Sequence, residues 1–492
     1  MRRHRYHPLP ARSRRLLAVL LALAACVAVL ALPGAAAAEE PGAAAAARID
    51  WGPCPAREPF PEPTPGVRCG ILRVPVDWAR PNGPSTGVFV AHRPATDPAR
   101  RIGVLLSNPG GPGNPGSDDA IYGDHPWLGK FAPELRQRFD IVGFDPRGLA
   151  RSGTASCAGA PDEEAFRPRD AADFERLRAR NAGLAAECLR RSGPLAAHMD
   201  TTSVARDMDA IRAALGEHRI SYLGQSYGTL LGERYARLFP GRLRAMVMDG
   251  ALDPDRPDAE RVITASSLTL ESSLGRLADW CATAPACALH GRDLTAVVDG
   301  LFARADAGTL REPGPDGPTS APVDADRLSG LLAVLLKWWG PEQAAEQLAA
   351  VETGRGTAVW LPSFSGRPDQ LVMCRDFDLR IRDFAEYRAL RERVARAAPH
   401  VRVSVYQLDK VLGCQGWTVP PEPRPAQAPG PLPPVLVVSA THDVATPLPG
   451  ARRMAAAFPR GRLHTVDLMG HTVYGQDGVR PLVDSFLVAP RG

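Results

Sequence analysis

The tightest constraint on this 492-residue chain is five residues long. Gly224-Gln225-Ser226-Tyr227-Gly228 joins the strand-like ISYLG directly to the helix-like TLLGERYARLF. A strand that passes into a helix through so short a turn needs small residues on both sides, and the turn lifts its central side chain above the sheet edge. The serine also stands at a helix N-terminus, where partial positive charge favours a developing anion. A serine that merely caps a helix beside incidental glycines is the competing reading. The flanking strand and helix favour a nucleophile.

A serine hydroxyl is a weak nucleophile unless a base takes its proton and an acid orients that base. On this kind of turn the chain order is serine, acid, histidine. Asp443 follows the apolar run VLVVS, and His471 follows RLHTVDL in Met469-Gly470-His471. Both fall at the C-terminal ends of strands, the edge where open α/β sheets hold ligands. Ser226, Asp443 and His471 are therefore the candidate nucleophile, acid and base. His442 adjoins the proposed acid and is badly placed to face it. Asp467 precedes His471 on the same strand end, and His464 alternates within that strand as a structural residue would.

A third segment, Asn108-Pro109-Gly110-Gly111-Pro112-Gly113, follows the strand IGVLLS. Paired glycines let backbone N–H groups approach a substrate oxygen closely. Gly110 and Gly111, with the N–H of Tyr227, are the candidate oxyanion hole. As a phosphate cradle the loop is poor, because it lacks a Lys-Ser/Thr ending and its prolines remove donors.

From Arg101 the chain alternates strand and helix: strands at 102–107, 139–144, 220–223 and 243–248, helices at 171–191, at 201–215 behind Thr/Ser caps, and at 227–239. That rhythm predicts a mostly parallel sheet covered on both faces. After Asp253 it changes. Helical segments fall near 259–283, 291–306, 325–339, 341–352 and 383–398 with no strand alternation, which reads as an inserted helical cap. Eight prolines between Pro420 and Pro434 make a stiff linker. Strands at 435–439 and 462–468 and helices at 449–457 and 480–487 then resume the sheet. The expected division is a signal over 1–38, a first core part over 39–253, the cap over 254–418, the linker over 419–434, and a second core part over 435–492.

The formal charge of +5 is misleading, because the first 38 residues hold six arginines and no acid. Without them the body has 53 basic and 54 acidic residues, which excludes a nucleic-acid binder working through a basic field. The Arg-rich start, the apolar run 16–32 and the small residues 34–38 have the layout of a secretory signal cleaved after Ala38. A retained anchor is the alternative, although 17 apolar residues fall short of the ~20 that span a bilayer. Arg14-Arg15 admits twin-arginine export, and Cys26 admits a lipoprotein box, against which the apolar run continues beyond it.

Eight cysteines remain past that segment, and an even number in an exported chain reads as disulfides. Pairing by shortest loops gives Cys54–Cys69, Cys157–Cys188, Cys281–Cys287 and Cys374–Cys414. No Cys-x-x-Cys occurs, and no histidine lies at ligand spacing nearby, so a metal site is not expected.

Taken together, NPGGPG at 108–113, FDPRG at 144–148, GQSYGT at 224–229, DVATP at 443–447 and GH at 470–471 resemble the secreted tripeptidyl aminopeptidase and proline iminopeptidase group of α/β-hydrolases. The resemblance extends over roughly residues 48–490. The chain departs from it at Leu149-Ala150-Arg151-Ser152, where a second glycine is usual, and at Asn114-Pro115. The resemblance implies an α/β-hydrolase fold with an inserted cap, the catalytic roles given above for Ser226, Asp443 and His471, and an acyl-enzyme formed without metal or organic cofactor. It further implies release of short peptides, tripeptides above all, from substrates with free N-termini, outside the cell or in its envelope, with no lasting membrane association. Recognition of the substrate ammonium then calls for a carboxylate in a partly dry pocket. Asp376, which Cys374 could hold rigid, and Glu233 are the candidates, with Glu271 and Asp378 behind them. A carboxylesterase, a proline iminopeptidase-like enzyme and a non-catalytic envelope-binding protein are the alternative functions.

Overall fold

The computed structural model describes residues 48–57, 60–123, 125, 130–153, 155–157, 167–255, 257–360 and 368–490. The signal reading and Cys26 lie outside these residues. Nine strands form one sheet: β1 Gly52–Pro53, β2 Arg68–Pro75, β3 Ser85–Arg93, β4 Gly103–Asn108, β5 Phe139–Phe144, β6 Ile220–Gln225, β7 Leu243–Asp249, β8 Val435–His442 and β9 Gly461–Met469. Their spatial order is β1-β2-β3-β5-β4-β6-β7-β8-β9. From β5 to β9 every pairing is parallel, while β1, β2 and β3 are joined antiparallel to one another and to β5.

The central strands are largely apolar and mostly buried because both faces are covered. All six residues of β4 are buried. On one face the helices Thr201–Ala214 and Tyr227–Leu238 bring Met208, Ile211 and Tyr235 against Leu106 and Tyr222. On the other, the helix Arg480–Val488 brings Val483 and Leu487 against Leu105 and Val247. The sequence reading starts the sheet at Arg101, and the structure adds β1, β2 and β3 before it. In β2 the period-2 pattern is visible afterwards over residues 71–74, with Ile71 and Arg73 outward and Leu72 and Val74 inward. The helix Thr201–Ala214 is also capped differently than expected: Asp200 accepts the Ser203 N–H at 2.8 Å and serves as its N-cap.

Between β7 and β8 the chain leaves the sheet and forms the helices Ala259–Thr283, Leu294–Asp306, Ala325–Trp338, Pro341–Thr353, Pro368–Asp376, Phe384–Ala397 and Val405–Gly413. Pro368–Asp376 and Val405–Gly413 are absent from the sequence reading, and both wall the site described below. These helices are fused to the sheet side rather than hinged on it. Leu371, Val372 and Phe377 share a core with Tyr227 and Leu230, and Leu270 and Leu335 share one with Val444. The proline-rich stretch is strapped down by polar contacts. Glu422 N–H donates to the Arg375 carbonyl at 2.6 Å, and Arg424 pairs with Glu233 at 2.5 Å.

The structure pairs Cys54 with Cys69, Cys157 with Cys188, Cys281 with Cys287 and Cys374 with Cys414, the same set as shortest-loop pairing. The last bridge ties the helix Pro368–Asp376 to the end of Val405–Gly413. Thiol titration of the denatured, unreduced protein lacking residues 1–38 is expected to find no free thiol. Replacing both Cys374 and Cys414 by alanine is expected to cost about 4 kcal/mol by the chain-entropy relation for their separation of 40 residues, measurable as a lowered denaturant midpoint.

Candidate active site

Ser226 sits between β6 and its following helix at φ 53° and ψ −123°, a region that non-glycine residues rarely enter. Three contacts hold it there. Its N–H donates to the Asp249 carbonyl at 2.8 Å, and its own carbonyl accepts the Thr229 N–H at 3.0 Å and the Thr229 hydroxyl at 2.6 Å. The two glycines of the pentapeptide are steric necessities. A Cβ on Gly224 would lie 2.5 Å from the Gly228 carbonyl oxygen, and one on Gly228 would lie 2.5 Å from that of Asn108.

Asp443, directly after β8, is fully buried, and its oxygens are saturated. Oδ1 accepts the N–H groups of Ala445 and Thr446 at 2.9 and 3.0 Å, and Oδ2 accepts the Thr446 hydroxyl at 2.7 Å. His471 Nδ1 lies 2.8 Å from Oδ2 and 3.0 Å from Oδ1. Burial would raise the Asp443 carboxyl, but His471, Thr446 and the backbone donors outweigh it and hold the group below the usual carboxylate range. With Nδ1 committed to the carboxylate, Nε2 is the basic atom left to His471. Gly250 makes room for the pair, since a Cβ there would come within 3.3 Å of both Asp443 Oδ2 and His471 Cε1. Ser226 and His471 line the same cavity of about 710 Å³. Trp338 packs edge-on against the imidazole, with ring centroids 5.9 Å apart. A smaller pocket of about 90 Å³ opens from Ser226 on the side of Tyr227 and Val262.

The rival groups are engaged elsewhere. His442 shares a hydrogen bond with Ser272 at 3.0 Å, and burial and Arg276 hold its imidazolium below the ordinary histidine range. Asp467 is exposed and pairs with Arg276 at 2.9 Å.

The glycine loop lies where the sequence reading expects it, with one correction. The Gly110 N–H is spent on the Asn108 side chain, at 2.9 Å from Oδ1, so Gly110 offers no donor to a substrate oxygen. Its role is close approach: at φ +90°, a Cβ there would lie 2.6 Å from Tyr227 N and 2.5 Å from Gln225 O. Gly111 and Tyr227 line the small pocket with Ser226. The Tyr227 N–H is the first of its helix and has no acceptor within it.

Both candidates for ammonium recognition are buried and bonded to other groups of the protein. Asp376 is 5% exposed. It accepts the Thr201 N–H at 2.9 Å and the hydroxyls of Thr201 and Tyr227 at 2.5 Å each, so it anchors a helix start and the residue after the serine. Glu233, 2% exposed, is clasped by Arg234, Arg237 and Arg424. Neither lines the cavities. Glu271 accepts the backbone N–H groups of His400 and Val401, and Asp378 pairs with Arg380 at 2.6 Å. Among the described residues lining the larger cavity, Asp369 is the one carboxylate.

The sequence reading missed Asp249, the last residue of β7. Its buried carboxylate accepts the N–H groups of Val473 and Tyr474 at 2.7 and 3.0 Å and the Gln225 amide at 3.0 Å. One residue thus grips the serine turn through its carbonyl and the His471 loop through its side chain. Burial pushes its carboxyl above the ordinary value, against the pull of these donors. The signal was the one used for Asp443, an acid at the C-terminal end of an apolar strand.

Residues 103–477 match the alpha/beta hydrolase fold family. The chain is 32% identical to the serine protease Hip1 of Mycobacterium tuberculosis, with 89% of this chain and 88% of that one covered. It is 31% identical to a tripeptidyl aminopeptidase of Streptomyces lividans, over 91% and 86%. It is also 32% identical to carboxylesterase B of Mycobacterium tuberculosis, over 84% of each chain.

If Asp249 holds the two loops in register, Asp249→Ala is expected to lower kcat by about 10- to 100-fold with KM little changed, the scale of a misplacement near 1 Å. Its buried donors also lose an acceptor, about 1–3 kcal/mol of stability. Asp249→Asn, which keeps one acceptor, is expected to recover part of both. Steady-state kinetics beside thermal unfolding test this, and an unchanged kcat in Asp249→Ala would remove the positioning role.

Proposed function

The chain belongs to the α/β-hydrolase family, and within it we propose that it is a serine peptidase acting through an acyl-enzyme. The observation that carries the reading is the buried Asp443–His471 pair meeting the strained Ser226 on one cavity. His471 Nε2 takes the Ser226 proton as Oγ attacks the substrate carbonyl, and Asp443 stabilises the imidazolium. The carbonyl oxygen, now an oxyanion, is held by the N–H groups of Gly111 and Tyr227. His471 returns the proton to the leaving amine, the C–N bond breaks, and a water deprotonated by the same imidazole releases the acyl group.

The finer reading is an exopeptidase that frees short peptides from free N-termini. Relatives named for tripeptidyl aminopeptidase activity support it, and so does a cavity volume within the range that encloses a small ligand. Residues 254–418 act as a cap that closes the site from above, between the core parts 39–253 and 435–492, with 419–434 as a surface strap. Four disulfides suit work outside the cytoplasm after an export signal over 1–38 is removed. A carboxylesterase is the second reading, supported by the relative of that name.

Ser226→Ala is expected to leave a folded protein with a loss of activity of ~10³-fold or more, since these groups act as a unit. Full activity in that variant would end the assignment. A second comparison separates the two readings. N-acetylation of a tripeptide amide reporter is expected to lower kcat/KM by roughly 30- to 4000-fold, because it removes a charge paired in the site. Asp369→Asn should shrink that penalty. Equal cleavage of free and blocked reporters favours an esterase or endopeptidase.

A further inference from the structure

The wall facing Ser226 carries a cluster that the chemistry above does not use. Tyr406 and Lys410 lie one turn apart on the helix Val405–Gly413, and Lys337 reaches them from the helix Ala325–Trp338. Lys337 Nζ donates to the Tyr406 hydroxyl at 2.5 Å, and the Lys337 and Lys410 ammonium groups each lie 4.0 Å from the Tyr406 ring centroid. All three residues line the larger cavity beside Ser226 and His471, and Tyr406 and Lys410 also line the smaller pocket. The cluster therefore stands at the junction of the two spaces, next to the nucleophile.

Lys337 is 5% exposed, yet among the described residues it has no carboxylate partner. A buried ammonium is costly unless an anion meets it. The nearby carboxylates are engaged: Asp443 by His471, Thr446 and two backbone amides, and Asp253 by Arg453 at 2.6 Å and Arg261 at 2.9 Å. Asp369 lies on the same wall. Over the two spaces together, Lys337, Lys410, Arg261 and Arg453 stand against Asp253 and Asp369, so the described lining is net positive.

We propose that Lys337 and Lys410, converging on Tyr406, form a subsite that holds a carboxylate of the substrate beside the bond being cut. The enzyme then selects peptides carrying that charge, either as an acidic side chain or as a free C-terminus. The field that would attract the carboxylate already acts on Tyr406. Burial opposes ionisation of its hydroxyl, but Lys410 and Lys337, with His471, pull it down to about 7. Burial, with Lys410 close by, also holds the Lys337 ammonium below its usual range, a cost that an incoming carboxylate relieves.

The inference rests on the cavity being the substrate site of a Ser226 peptidase, so it is tested in a way that does not depend on turnover. Alanine tetrapeptides with free amino termini are titrated calorimetrically into the full-length Ser226→Ala protein. One pair differs only as C-terminal acid and amide. A second series, all amides, carries Glu or Gln at each position in turn. At least one carboxylate peptide is expected to bind ~10- to 100-fold more tightly than its amide twin, the scale of a charged hydrogen bond. The pair that shows the difference identifies the source of the carboxylate. Adding Lys337→Met should bring that ratio close to 1. Lys410→Gln, at a half-buried position, should reduce it as well if the first variant fails to fold. Twins that bind alike, peptides that do not bind, or a ratio untouched in a folded variant would each overturn the subsite. Turnover is read separately on the wild-type protein. Ser226-dependent cleavage with equal binding of twins removes the subsite and leaves the peptidase. A clear binding preference without cleavage removes the peptidase and leaves the subsite.

Discussion

The backbone of Ser226 at φ 53° is the constraint around which the sheet edge is built. Such a conformation costs ~1–3 kcal/mol for a non-glycine residue and persists only where its surroundings over-determine it. Here they do. Glycine at 224 and 228 lets β6 and its helix close up, glycine at 110 lets the 108–113 loop press against the turn, and the Asp249 carbonyl takes the Ser226 N–H. The result is a hydroxyl presented above the sheet with the first N–H of a helix beside it.

Asp249 links this turn to the opposite loop. Its carboxylate holds the amides of Val473 and Tyr474, while Gln225 joins the two sides and itself accepts from Lys130, at 2.9 Å. The Asp443–His471 pair comes from the two neighbouring strands, β8 and β9, so with the Ser226 turn after β6 and Asp249 ending β7, four adjacent C-terminal strand ends supply the polar half of the site. The helices between β7 and β8 supply the other half, an aromatic and cationic wall of Trp338, Lys337, Tyr406 and Lys410. Their placement depends on packing with the sheet side and on the Cys374–Cys414 bridge between two of them.

Buried charge elsewhere serves the scaffold. Arg147 of the FDPRG segment and Asp207 are both fully buried, paired at 2.5 Å, and Arg147 also donates to the Val76 and Pro75 carbonyls, tying the antiparallel edge to the helix Thr201–Ala214. Asp376 and Glu233 belong to the same class. A carboxylate that caps a helix and one that binds a substrate ammonium look alike in a sequence, because both need only an acid near a structured segment. Which donors fill its oxygens depends on residues as distant as Thr201 is from Asp376.

The parallel sheet, its apolar strands and the serine turn were legible in the sequence because each rests on local physics: period, steric room and the short path from strand to helix. Asp443 and His471 could be named for a related reason, since each follows a strand at the sheet edge where such folds hold ligands, β8 being apolar and β9 half polar. Three things came only with the tertiary structure. The Gly110 N–H was removed as a donor by a side chain two residues away, which spacing alone does not orient. Asp249 became a hinge pin between loops more than 200 residues apart in sequence. The cationic wall was assembled from helices whose pattern marks them as apolar and helical and no more. Periodicity tells a helix which face to bury, and long-range packing decides which polar residues on its rim meet across a cavity.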